Sequence, residues 1–156
     1  MVKIVKGNIL NATEDIICQQ VNCMGIMGAG LAKQIRYKYP EVFKAYKELC
    51  NFHKDDLKFL LGKILKVDCH DGKKIVNMFG QYNYGTNSIQ TNYIALENCL
   101  KKLFEKVSNI NNLNKTIAIP YKIGCGLAGG DWSVVFHMIE KLSEEYKCDV
   151  TIYKLN

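Results

Sequence analysis

The chain has 156 residues, 48% of them hydrophobic and 23% charged, with a formal net charge of +6. That balance is ordinary for a soluble globular domain, and the length suits one domain over residues 1–156 with a sizeable core. No apolar run reaches the roughly 18–20 residues that span a bilayer, and the opening Met1-Val-Lys-Ile-Val-Lys6 is too short for a signal sequence, so a cytoplasmic protein without a membrane partner is expected.

Val2 to Val5 reads as a strand ending at Gly7. Asp15 to Val21 is a short, mostly apolar run that fits a buried strand. It leads into Met27-Gly-Ala-Gly-Leu31, and a helix is predicted from Leu31. That helix breaks near Tyr39-Pro40, because the residue before proline disfavours helical geometry. Pro40 suits the first turn of a second helix through Leu49, with Val42, Phe43, Tyr46 and Leu49 on one face. Lys63 to Asp68 and Lys73 to Met78 read as strands joined by the turn-forming Asp71-Gly72. The segment Gly80 to Ser88 reads as an ordered loop before an amphipathic helix over Ile89 to Val107. Asn109 to Lys115 is a polar connection, and Thr116 to Pro120 is a short buried strand. It opens a second glycine turn, Ile123-Gly-Cys-Gly-Leu-Ala-Gly-Gly130. Asp131 occupies an N-cap position before a helix over Trp132 to Tyr146, and Val150 to Tyr153 closes the chain as a strand.

Strands alternating with helices predict an α/β fold: a mixed central sheet flanked by helices on both faces. In such sheets ligands bind beyond the strand C-termini, where both glycine turns belong. A helix N-terminus presents unpaired N–H groups and partial positive charge, and glycine lets the backbone come close to a ligand. Two such turns can hold a pyrophosphate between them. A nucleotide diphosphate is the ligand class that follows.

The seven cysteines are scattered, and no pair has CxxC spacing. Reduced, buried thiols are expected, with no metal and no cofactor. The lysines spread along helices without one dense basic stripe, so nucleic acid is not an expected partner. His53, His70 and His137 have no partner motif and read as surface residues.

Gly7-Asn-Ile9, the Val21-Asn22 ending ahead of Met27-Gly-Ala-Gly30, and Ile119-Pro120 ahead of Gly124-Cys-Gly-Leu127 together resemble the macrodomain family across essentially the whole chain. The resemblance implies ADP-ribose, or an ADP-ribosylated protein or small molecule, as partner. It is most similar to the branch containing terminal ADP-ribose protein glycohydrolases and ADP-ribose-1″-phosphate-processing proteins. By this resemblance Asn8 and Ile9 lie at the adenine, where the family usually carries an aspartate, and Tyr153 packs on that base. Asn22 contacts the distal ribose, although an asparagine there also fixes its own turn. Gly28, Ala29 and Gly30 approach that ribose and its phosphate, and Tyr82 or Tyr84 covers the sugar. Ile123, Gly124, Cys125, Gly126 and Leu127 carry the second turn around the diphosphate, with Cys125 as a space-filler rather than a nucleophile.

Two positions depart from that branch. Its catalytic lysine falls, by register, at Gln81, and its catalytic aspartate at Ala128. Glutamine cannot form a Schiff base and alanine cannot move a proton. The candidate catalytic set is therefore Asn22, Gln81 and Asp131, the last equally accounted for as a helix cap. The expected activity is hydrolysis of ADP-ribose derivatives at the distal ribose without a catalytic lysine. De-ADP-ribosylation of acidic side chains, deacetylation of O-acetyl-ADP-ribose and dephosphorylation of ADP-ribose-1″-phosphate all fit. The alternative is a non-catalytic ADP-ribose reader. With no further domain read in the chain, the enzyme is the favoured expectation, and it is expected to act as a monomer.

Overall fold

Every strand among the described residues joins one six-stranded sheet. In the computed structural model, which describes residues 1–109 and 114–156, the strands are β1 (Val2–Lys6), β2 (Ile16–Val21), β3 (Ile64–Asp68), β4 (Lys74–Phe79), β5 (Ile117–Pro120) and β6 (Val150–Lys154). Their order is β1-β6-β5-β2-β4-β3. Only β3 runs antiparallel to its neighbour, pairing with β4 through a turn in which Gly72 adopts φ +89°. The other pairs are parallel. The mixed sheet predicted from the sequence is therefore present, and five strand C-termini open towards one end.

Alternation along the strands divides the core in two. Ile16, Cys18, Val76, Met78, Ile117, Ile119, Val150 and Ile152 face the helices α3 (Tyr93–Asn109) and α4 (Trp132–Tyr146). Ile17, Val21, Ile75, Phe79 and Ala118 face α1 (Gly30–Lys38) and α2 (Pro40–Phe52). Helices thus cover both faces, as expected. Pro40 sits in the first turn of α2, and the face predicted for that helix buries Val42 and Tyr46, with Phe43 and Leu49 partly covered.

Two features differ from the sequence reading. Short 3₁₀ segments occupy Ile9–Asn11 and Leu57–Leu60. Helix α3 begins at Tyr93, not Ile89, because Thr91 pairs as an isolated β-bridge with Gln81 and the Asn92 side chain accepts from Ala95 N at 3.0 Å. The polar connection read at 109–115 falls partly outside the described residues. All seven cysteines are free, and six are buried. Among the described residues no helix is long and apolar enough to cross a membrane.

Candidate functional site

At the C-terminal ends of β2 and β5 lies a cleft of about 660 Å³, the size range of a small-ligand site. Its walls come from three segments: residues 22–32 after β2, residues 80–86 after β4, and residues 120–128 after β5. Both glycine turns border it, along with Asn22, Gly28, Ala29, Gly30, Gln81, Tyr84, Ile123, Gly124, Gly126 and Leu127.

The backbone of the turns explains what the cleft can hold. Helix α1 starts at Gly30 with φ +57°, and its N-cap Ala29 offers no side-chain cap. Among the described residues, the N–H groups of Ala29, Gly30 and Leu31 have no protein acceptor. In the second turn Cys125 N donates to Lys122 O at 2.8 Å and Gly130 N to Gly124 O at 2.9 Å. The N–H groups of Gly124, Gly126 and Leu127 likewise find no protein acceptor among the described residues. Two rows of open donors therefore border one cleft, one at a helix N-terminus, and that arrangement suits an anion. The single charged residue among the described lining residues is Lys122, held at φ +62°. Carboxylates, histidines and cysteines are absent from that lining.

Asn22 is buried, and its amide is tied into the first turn. Its Oδ1 accepts from Met24 N at 2.9 Å, its Nδ2 donates to Ile26 O at 2.9 Å, and the Tyr46 hydroxyl lies 2.8 Å from Oδ1. Helix α2 thus fixes the residue, and one Nδ2 hydrogen remains for a ligand.

Gln81 belongs to a chain of amides that joins all three walls. Its Nε2 donates to Asn83 O at 2.7 Å, so its Oε1 is the acceptor for Gln20 Nε2 at 2.9 Å. Gln20 Nε2 also donates to the Thr91 hydroxyl at 2.9 Å, and Thr91 donates to Gly124 O. Cys23 N, in the first turn, donates to Tyr82 O at 2.9 Å. Among the described residues Gln20 Oε1 is left buried without a partner, in a space that Gly80 and Gly124 must leave open. A Cβ on Gly80 would lie 2.3 Å from it, and one on Gly124 2.9 Å, where φ +71° already favours glycine.

Of the other expected site residues, Tyr84 joins the cleft lining, and Tyr82, Cys125, Asp131, Asn8, Ile9 and Tyr153 lie apart from it. Tyr84 lines the cleft and is 54% exposed, whereas Tyr82 is half-buried against the α1–α2 core. The Cys125 thiol bonds back to Ile123 O at 3.3 Å, and burial, with the nearby Asp131 charge, pushes its pKa up to about 11. A thiol in that state is no nucleophile near neutral pH. The Asp131 carboxylate caps α4, accepting from Ser133 N at 2.9 Å and from the Ser133 hydroxyl at 2.7 Å, and these bonds hold its pKa below the usual carboxylate value. Asn8 caps the 3₁₀ turn by accepting from Leu10 N at 3.0 Å. Tyr153, paired with Lys6's neighbour Val5 across the sheet, donates its hydroxyl to Glu14 at 2.6 Å. Asn8, Ile9 and Tyr153 therefore gather at the β1–β6 end of the sheet, outside the cleft lining.

Sequence reasoning passed over Gln19, Gln20 and Thr91. Gln19, also on the cleft, is 2% exposed and donates to Asn77 at 2.7 Å, with its Oε1 unpaired among the described residues. The signal was available: two adjacent glutamines inside an otherwise apolar central strand put one amide on each face of the sheet.

A mixed, mostly parallel α/β sheet with paired glycine turns closing an anion-receptive cleft defines a class of nucleotide-type binding domain. The comparisons narrow that class. The Macro domain family profile matches residues 18–139, and the chain belongs to that family. It is 29% identical to a DNA ADP-ribosyl glycohydrolase of Mycobacterium tuberculosis, over 98% of this chain and 42% of that protein. It is 28% identical to an ADP-ribose 1″-phosphate phosphatase of Saccharomyces cerevisiae, covering 97% of both. The chain spans about two-fifths of the length of the curated glycohydrolases it matches. Among solved structures, the macrodomain of Mycobacterium tuberculosis DarG superposes with a TM-score of 0.80 at 28% identity, covering 98% of this chain and 97% of that one.

Proposed function

We propose that the cleft binds ADP-ribose with its diphosphate between the two glycine turns, and that the protein hydrolyses ADP-ribose derivatives at the distal ribose. One observation carries this reading: two rows of backbone donors without acceptors border the same cleft. The diphosphate supplies what both rows lack. The relatives named as ADP-ribosyl glycohydrolase and ADP-ribose 1″-phosphate phosphatase support the ligand class and the hydrolytic chemistry.

In this reading the adenine lies towards Asn8, Ile9 and Tyr153, and the distal ribose towards Asn22, Gly28 to Gly30, Gln81 and Tyr84. The reaction needs no protein nucleophile. A water held by the Asn22 or Gln81 amide attacks the acyl carbon or phosphorus of an ester at the distal ribose, the bond from that atom to the ribose oxygen breaks, a substrate phosphate oxygen passes the water's proton to the departing ribose oxygen, and open turn N–H groups stabilise the negative charge that develops. Asp131 stays the cap of α4.

The lining's want of a carboxylate or histidine favours a second reading, a reader that binds without turnover. Incubating the purified chain with ADP-ribosyl-glutamate conjugates, O-acetyl-ADP-ribose and ADP-ribose-1″-phosphate separates the two. Product release above buffer establishes the hydrolase. Saturable ADP-ribose binding in calorimetry with no release establishes the reader, and no binding at all removes both.

A further inference from the structure

A second, smaller cavity of about 190 Å³ opens between the sheet and the last turns of α3. Its floor is aliphatic. Ile16 and Val76 come from β2 and β4, and Leu103 and Val107 from α3; all four are buried. Ile64, on the edge strand β3, is half-buried and forms one wall. Ile16 opens β2 and the lining residue Lys74 opens β4, so the cavity sits at the N-terminal end of the parallel strands. The cleft between the glycine turns lies beyond their C-terminal ends, on the opposite side of the sheet's length.

Four lysines surround that floor, each from a different part of the chain: Lys66 from β3, Lys74 from β4, Lys106 from α3 and Lys115 ahead of β5. A lysine lays its aliphatic stem along an apolar surface and keeps its ammonium group in water. Among the described residues Lys74 pairs with Asp68 at 2.9 Å, and the other three form no ion pair. Neighbouring carboxylates are engaged elsewhere. Asp15 accepts from Thr116 N at 2.9 Å and from its hydroxyl at 3.1 Å, and Glu105 accepts from the Tyr146 hydroxyl at 3.0 Å. The described lining contains no carboxylate, hydroxyl or aromatic ring. An apolar floor thus lies inside a rim of uncompensated positive charge.

We propose that this cavity docks an acidic segment of a partner protein, which inserts one aliphatic side chain while the carboxylates beside it meet the lysines. Size and charge together select that occupant. A space of about 190 Å³ takes a leucine-sized side chain and is too small for a fatty acyl chain. A small inorganic anion would meet the lysines and leave the floor empty. A nucleic-acid strand would also meet them, but an aliphatic floor gives a base no ring to stack on. Carboxylates placed around one apolar anchor satisfy both parts of the site. The anchor leaves water at the centre, and complementary charge at the rim orients the partner. Because cavity and cleft open at opposite strand ends, a docked partner leaves the cleft free. The docking site does not depend on what the cleft binds.

The test is fluorescence anisotropy of the whole chain with a labelled peptide of sequence EDELDED. Saturable binding is expected, weakening as added salt screens the exposed charges. The same peptide with serine in place of leucine is expected to bind about tenfold or more weakly, having lost one buried aliphatic side chain. That comparison reports on the floor without altering the fold. Lys66→Gln combined with Lys106→Gln, both at exposed positions, is expected to weaken binding several-fold and leave the melting temperature unchanged. Excess ADP-ribose is expected to leave the peptide bound. The proposal is overturned by absent binding, by equal affinity for the serine peptide, or by a double lysine variant that binds like the parent. Displacement of the peptide by ADP-ribose overturns it too, as does tighter binding of an oligothymidine of equal charge. A chain that holds the peptide through these lysines yet ignores ADP-ribose would remove the proposed function and leave the docking site standing.

Discussion

The Thr91 hydroxyl donates to the Gly124 carbonyl, and so fastens the loop after β4 to the second glycine turn. The same oxygen accepts from Gln20 at 2.9 Å, which links both to the central strand. Thr91→Val keeps the shape and removes the hydroxyl, leaving a buried carbonyl and amide short of a partner. A loss of about 1–3 kcal/mol in denaturant unfolding is expected, together with weaker ADP-ribose binding in calorimetry. Unchanged values for both would show that the walls hold without this link.

Gly126 offers the reverse experiment. A Cβ there meets nothing within 4 Å, and the residue lines the cleft. Gly126→Val is therefore expected to leave the melting temperature within a few degrees of the parent while costing tenfold or more in ADP-ribose affinity, about 1.4 kcal/mol or more. Retained affinity would take the second turn out of the binding site.

Asp131 separates cap from catalyst. Its carboxyl titrates below the ordinary value of 3.8 because Ser133 bonds to the ionised form. The ionised cap stabilises the fold fully above that ordinary value, and the contribution fades as pH falls through the lower folded-state value. Asp131→Ala is expected to lower the melting temperature at pH 7, with the difference from the parent shrinking towards pH 3. Asparagine caps helices comparably, so Asp131→Asn should retain stability and any turnover. Turnover lost in a stable Asp131→Asn variant would place the carboxylate in the chemistry.

Asn8 accepts from Leu10 N through a neutral amide oxygen. Asp accepts the same bond, and its charge strengthens a further bond from an amine. If the adenine lies there, Asn8→Asp is expected to tighten ADP-ribose binding several-fold. Unaltered affinity in calorimetry would move the base away from this end of the sheet.

Much of the architecture can be read along the chain. Pro40 marks the start of α2 and Asp131 caps α4, since each is a local effect of one residue on its own backbone. The start of α3 was displaced by four residues because a bridge between Gln81 and Thr91 overrides helical periodicity at Ile89. Tyr82 and Tyr84 are equivalent in sequence, and only packing turns Tyr84 to the cleft and Tyr82 towards the core.

By itself the amino-acid order determined the alternation of strands and helices, the two glycine turns and the ligand class they suit, because these follow from short-range sterics and backbone donors. Tertiary structure alone decided that Gln20, Gln81, Thr91 and Gly124 form one hydrogen-bonded chain across three walls. It also decided that the Asp131 carboxylate accepts from Ser133 N and from the Ser133 hydroxyl at the start of its helix. Those relations depend on which strand ends the parallel sheet order brings side by side, and no local pattern encodes that order.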